Sequence, residues 1–170
     1  GCVLCRTLEG AAVADRLVVH TGEWNFVVMN LFPYTGGHVM VAPRRHVGSL
    51  AEATLEELGE MMALVRRLEQ VFREVYRPDG INVGMNLGRP AGAGVADHIH
   101  MHVVPRWTGD TSFMTVVSGT RVIPEEPEQA CLRLRPELGH QATRCRRADE
   151  HGLIAAAIGR PIPRVQPVAI

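Results

Sequence analysis

The chain is 170 residues long, 46% hydrophobic and 21% charged, with 18 basic residues balancing 18 acidic ones. Every basic residue is arginine, which excludes a Schiff-base lysine and a Walker-type phosphate-binding lysine. Ten arginines against twelve acids in residues 1–120, and eight against six in 121–170, leave no strongly basic field, so nucleic acid is not an expected partner.

A chain of this size buries roughly 70% of its extended surface and can build one core. Residues 17–20 (LVVH) and 24–30 (WNFVVMN) are β-rich runs parted by Thr21-Gly22-Glu23, a hairpin signal. A third run, His38–Ala42, lies between the turn cluster 33–37 and Pro43. From Thr54 the period becomes helical: Leu55, Leu58, Met61, Met62, Val65, Leu68, Val71, Phe72 and Val75 recur at steps of three or one. Thr54 and Glu57 form a capping-box pattern, and Pro78-Asp79-Gly80 supplies the stop. Ile81–Leu87, a Gly/Ala-rich loop at 88–97, and a strand His98–Val104 closed by Pro105 complete an α+β unit over 1–124, an antiparallel sheet packed on one long helix. Residues 125–170 read as an irregular C-terminal extension cut by prolines. Short strands at Val116-Val117 and Arg121–Ile123, helices within 128–135 and 149–158, and an extended arm PIPRVQPVAI are expected there.

Apolar runs are short and broken by His, Gly or Pro, and no leader pattern is visible at the start, so neither a membrane span nor a membrane partner is expected and a cytoplasmic location is. Four cysteines (2, 5, 131, 145) suggest no secretory framework. Cys2-x-x-Cys5 alone is compatible with redox chemistry, metal binding or two buried thiols.

HIHMHVV (98–104) is the most informative stretch. Strand alternation puts His98, His100 and His102 on one face and Ile99, Met101 and Val103 on the other. Three imidazoles fill a core poorly, since each carries a donor and an acceptor. A surface row or a backbone-bonded ladder, a three-histidine metal site, and nucleophilic catalysis by the central ring are the readings left open.

HIHMHVV resembles, at every position, the H-φ-H-φ-H-φ-φ signature of the histidine triad family of nucleotide hydrolases and transferases. PRWTGD (105–110) and GTRVIP (119–124) are similar to its dinucleoside-polyphosphate branch, including diadenosine tetraphosphate phosphorylases. The resemblance implies a covalent nucleotidyl-histidine at His100, leaving-group contact by His102, a supporting or metal-binding His98, and His38 beside the triad. It further implies that Asn30 faces ribose and Asn86 the phosphates. Where many members carry a hydroxyl residue after glycine this chain has Ala93-Gly94-Val95, so that only backbone N–H groups, such as that of Gly94, are offered to phosphate. Phe26 and Val28 are candidates for the apolar base slot, and Trp107 for stacking on a second nucleotide or leaving group. Members with an N-terminal C-x-x-C commonly close a zinc site with a P-x-x-H histidine and the first triad histidine, which here are His46 and His98. The implied cofactor is therefore structural zinc on Cys2, Cys5, His46 and His98, and the implied assembly a homodimer through the long helix and an edge strand. Hydrolysis of a dinucleoside polyphosphate such as diadenosine tetraphosphate is expected, with phosphorolysis and non-catalytic nucleotide binding as alternatives. A zinc-dependent hydrolase using all three histidines is a further one.

Overall fold

The computed structural model describes residues 1–9, 17–110 and 125–139. Strands β1 (Val18–Thr21), β2 (Asn25–Met29), β3 (Val39–Pro43), β4 (Gly80–Met85) and β5 (Met101–Arg106) form one antiparallel sheet in the order β1-β2-β3-β5-β4. The short runs on either side of Gly22 pair as a hairpin, and the third run adds to it in register, Val27 opposite Val41 and Val28 opposite Met40. This is the expected α+β architecture.

An N-terminal helix α1 (Val3–Leu8) precedes the sheet and was not foreshadowed by any periodicity, being a single turn and a half. The long helix α2 (Leu55–Val75) starts at its capping box: Glu57 N donates to Thr54 Oγ1 (3.2 Å) and Thr54 N to Glu57 Oε2 (2.8 Å). Its buried stripe of Met61, Leu64, Val65, Leu68, Val71 and Phe72 lies against the sheet face that carries Asn25, Val27, Val41 and Val103. The helix ends at Tyr76, with Arg77 in the left-handed region (φ +48°), just ahead of the expected Pro78 stop.

Two expected boundaries shift. The last strand begins at Met101 rather than His98, because residues before it bond elsewhere: Ile99 N donates to Val47 O (2.8 Å), and the His98 ring turns to Pro43 O. The same strand runs through Pro105 to Arg106, since the side of Pro105 that lacks an N–H lies beyond the end of β3, where its carbonyl accepts from Thr35 Oγ1 (2.7 Å). In the C-terminal segment the expected helix is present as α3 (Pro127–Leu134), whose Ala130, Cys131 and Leu134 join the same core as α2, followed by Leu138. The short strands expected at 116–123, the helix within 149–158, the arm PIPRVQPVAI and Cys145 lie outside the described residues. No helix among the described residues is long and apolar enough to cross a membrane.

Candidate active site and metal site

Cross-strand partners share a sheet face, so His102 stands with Met40 of β3 and Gly84 of β4 on the face opposite α2. An added Cβ at Gly84 would meet nothing within 4 Å, so the surface beside His102 is open on that flank. His38 enters from the turn before β3, where Gly37 (φ +77°) lets the chain pass close to Tyr76 and Pro105.

Each ring of this group has one nitrogen committed to a partner that assigns its tautomer. His100 Nδ1 lies 2.9 Å from its neighbour's carbonyl, His98 O, and must carry the proton. Its Nε2 is then a bare lone pair with no partner among the described residues. Tyr34 N donates to His38 Nδ1 (3.0 Å), so the His38 proton sits on Nε2 and is donated to His102 Nδ1 (2.9 Å). His102 therefore holds its own proton on Nε2. Burial first, then the electrostatic influence of the adjacent His100 ring, push the His102 pKa down to about 4, so it is neutral at physiological pH. The His100 and His102 rings stand edge to face with centroids 5.0 Å apart. The result is one lone pair and one N–H donor on adjacent rings, a combination suited to attack on a phosphorus and stabilisation of its oxygens.

His98 belongs to a second constellation. Its Nε2–H donates to Pro43 O (2.8 Å), leaving Nδ1 aimed at Cys2 Sγ (3.4 Å) and Cys5 Sγ (3.6 Å), while His46 Nδ1 is 3.3 Å from Cys5 Sγ. The four ligand atoms all lie within 4.8 Å of one another. A tetrahedral ion with bonds of about 2.3 Å to sulfur and 2.0 Å to nitrogen would separate S and N by roughly 3.5 Å, so this donor set fits such an ion. The C-x-x-C spacing is set by α1: Cys2 is its N-cap and Cys5 lies one turn on, which points both thiols the same way. Burial first, then the other thiol, raise the Cys5 pKa, and burial lowers that of His98. A cation would reverse the first effect and is favoured by the second, since it binds thiolate and neutral imidazole.

The three triad histidines are thus split between two tasks. His98 is committed to the cysteines and Pro43, and among the described residues the group able to hold a metal is Cys2, Cys5, His46 and His98. The alternative of one ion on His98, His100 and His102 has no support in this geometry.

The other candidates are placed as follows. Asn30 accepts from Phe32 N (3.0 Å) and sets its amide nitrogen 3.4 Å from both nitrogens of His38, so it lies over that ring. Asn86 donates to Gly92 O (3.3 Å), bracing the Gly-rich loop, in which Gly94 has open space where a side chain would be. Phe26 and Val28 share the His102 face but are buried in the core. Trp107 is half-buried, edge-on to Tyr76 (centroids 6.4 Å) beyond the end of β5. Tyr34, not singled out by the sequence, lies against both His38 and His102. Its only sequence signal is its place in the turn before His38.

The five-stranded antiparallel sheet thus carries a hydrogen-bonded histidine pair beside a Cys/His cluster able to hold a metal. Residues 11–109 match the HIT domain family, and an uncharacterized HIT-like protein of Mycobacterium tuberculosis is 31% identical over 141 residues, 82% of this chain and 94% of that one. The chain belongs to the HIT domain family. It is 48% identical over 111 residues to AP-4-A phosphorylase of Mycobacterium tuberculosis, a match covering 65% of this chain and 57% of that enzyme. The chain thus spans little more than half the length of that relative. The fold matches a Zn-bound histidine triad family protein from Mycobacterium smegmatis with a TM-score of 0.67 and 33% identity, over 81% of this chain and 93% of that one.

Proposed function

We propose that this protein is an enzyme that cleaves dinucleoside polyphosphates through a nucleotidyl-histidine on His100. The observation that carries the reading is the adjacency of the His100 and His102 rings, centroids 5.0 Å apart, with His100 Nε2 left without a partner among the described residues and His102 left with its proton on Nε2. His100 Nε2 attacks the α-phosphorus, a P–N bond forms, and the bridging P–O bond breaks with its electron pair leaving on the departing nucleoside polyphosphate. Positive charge on the substituted ring is relieved through Nδ1–H to the His98 carbonyl, and His102 donates a hydrogen bond to the phosphoryl or leaving oxygen. An acceptor oxygen then attacks the same phosphorus, and His100 is released with its lone pair restored.

Two acceptors are chemically equivalent at that step. Water yields a nucleoside monophosphate, and orthophosphate yields a nucleoside diphosphate. Sequence motifs alone rank water first; the 48% identity to AP-4-A phosphorylase favours orthophosphate, and we place it first here. Asn30 is assigned to the ribose, Asn86 and the Gly94 backbone to the phosphates, and Trp107 to the second nucleotide. Phe26 and Val28 support the base slot from within the core. His38 holds His102. The Cys2, Cys5, His46 and His98 set is assigned to zinc, which there would supply a structural cross-link between α1, the segment after β3 and the entrance to β5. The implied homodimer would use α2 and the edge strand β4, where Val83 is 47% exposed.

Labelled diadenosine tetraphosphate, incubated with and without orthophosphate, tests the reading. ADP and ATP appearing only with phosphate is the expected outcome. AMP and ATP regardless of phosphate would make water the acceptor, and no cleavage under either condition would remove the enzymatic reading.

A further inference from the structure

Tyr34 is placed to act on both members of the His38–His102 pair at once. Its backbone N–H is the donor that fixes the His38 tautomer. Its ring lies 4.6 Å from the His38 centroid and 5.9 Å from that of His102, nearly parallel to the latter at 28°. The His38 and His100 rings, by contrast, meet His102 at 52° and 74°. The loop that presents Tyr34 is braced at both ends: Phe32 N donates to Asn30 Oδ1, Asn30 N to His38 O, and Thr35 Oγ1 to Pro105 O.

Among the described residues, the titratable groups facing His102 are His38, His100 and the Tyr34 phenol, and its neighbours on β3 and β4, Met40 and Gly84, carry no charge. A proton gained at His102 Nδ1 would abolish the acceptor that receives the His38 Nε2–H, so the pair works only while His102 stays neutral. Water admitted to that bond would stabilise the imidazolium. Of the rings beside His102 among the described residues, the Tyr34 phenol is the one nearest to parallel with it.

We propose that Tyr34 is a positioning residue for the donor side of the site: its peptide sets the His38 tautomer, and its ring shields the His38–His102 hydrogen bond so that His102 presents Nε2–H. The part that concerns phosphate rests on the proposed function; the shielding does not.

The test is an NMR pH titration of the His102 imidazole in the full chain without substrate, for the native protein, Tyr34→Phe and Tyr34→Ala. The ring variant Tyr34→Phe is expected to titrate as the native chain does. Tyr34→Ala should raise the His102 midpoint by about one pH unit, and Tyr34→Ser repeats the test should the alanine chain misfold. In turnover, the acid limb of kcat should move up with it while KM changes by less than about twofold. An unmoved His102 midpoint in a folded Tyr34→Ala or Tyr34→Ser chain overturns the proposal, as does an equal rise in Tyr34→Phe. A His102 shift as expected in a chain that cleaves no dinucleotide supports the shielding role and counts only against the proposed function.

Discussion

At the scale of single residues, chemistry here is governed by which nitrogen of each ring is already occupied. The row of alternating histidines was visible in HIHMHVV, and so was the central position of His100. The tautomers were not, because those of His100, His38 and His98 are assigned by main-chain groups whose identity depends on folding, His98 O, Tyr34 N and Pro43 O, and that of His102 follows from His38. No side-chain pattern encodes a peptide carbonyl. If the lone pair of His100 is the nucleophile, His100→Ala removes it without disturbing the phosphate donors. Turnover should then fall by at least roughly a thousandfold, with nucleotide affinity by equilibrium dialysis changing only a few-fold. Residual turnover within tenfold of native would show that phosphorus is attacked by some other group.

At the scale of elements, the ends and turns hold the site's supports together through acids on α2. Glu57 closes the capping box and also takes both forks of Arg45 at 2.9 Å, tying the helix N-terminus to the segment that carries His46. The Arg45 bond is the largest reason the Glu57 carboxyl lies below its ordinary pKa, exceeding the opposing effect of burial. Thr54 and Glu57 were legible from spacing alone, since a capping box is a local event; Arg45 was not, since it joins from twelve residues upstream. Glu60 makes the same point more strongly. Its carboxylate accepts from the backbone N–H groups of Glu23, Trp24 and Asn25 and from Asn25 Nδ2, so α2 clamps the β1–β2 turn. Burial raises its pKa, but the Asn25 amide and the three backbone donors together hold it below the ordinary value of 4.5. A depressed native pKa contributes stability that is complete above the unfolded value and is lost as pH falls through the native one. Glu60→Gln should cost roughly 1–2 kcal/mol in urea unfolding at pH 7. The difference from the native chain should shrink below about pH 4.5 as the native carboxyl protonates. A pH-independent difference would mean that the charge plays no part in the clamp.

At the scale of the whole molecule, the Cys/His cluster spans three separate segments. Cys2 and Cys5 come from α1, His46 from the stretch after β3, and His98 from the entrance to β5. Because His98 O also accepts from His100 Nδ1–H, an ion on His98 would act on His100 only through the backbone it anchors. A structural ion predicts that chelation lowers Tm by roughly 5–10 °C, restored by added zinc, while activity below the new transition is largely kept. Activity lost at temperatures where circular dichroism still shows the native fold would place the ion in the chemistry instead. The C-terminal helix α3 adds to this picture, since Ala130, Cys131 and Leu134 are buried with the strands and α2. Arg135 Nε, also buried, donates to Val18 O (2.7 Å) at the outer strand β1.

Local rules in the amino-acid order were enough for what is local in the fold. β-rich runs parted by turn signals marked three strands, a nine-residue apolar series marked α2, and the alternating histidines marked the segment leading into β5. The same order carried Cys2-x-x-Cys5 and Pro43-x-x-His46, which supply three of the four residues of the cluster able to hold a metal. Folding alone determined that β5 slots between β3 and β4, that His98 leaves the ladder for Pro43, and that Tyr34 comes to rest over His38 and His102. Those outcomes depend on backbone groups and ring faces brought together over separations of up to 68 residues, as between Tyr34 and His102, and no short-range propensity acts over that distance.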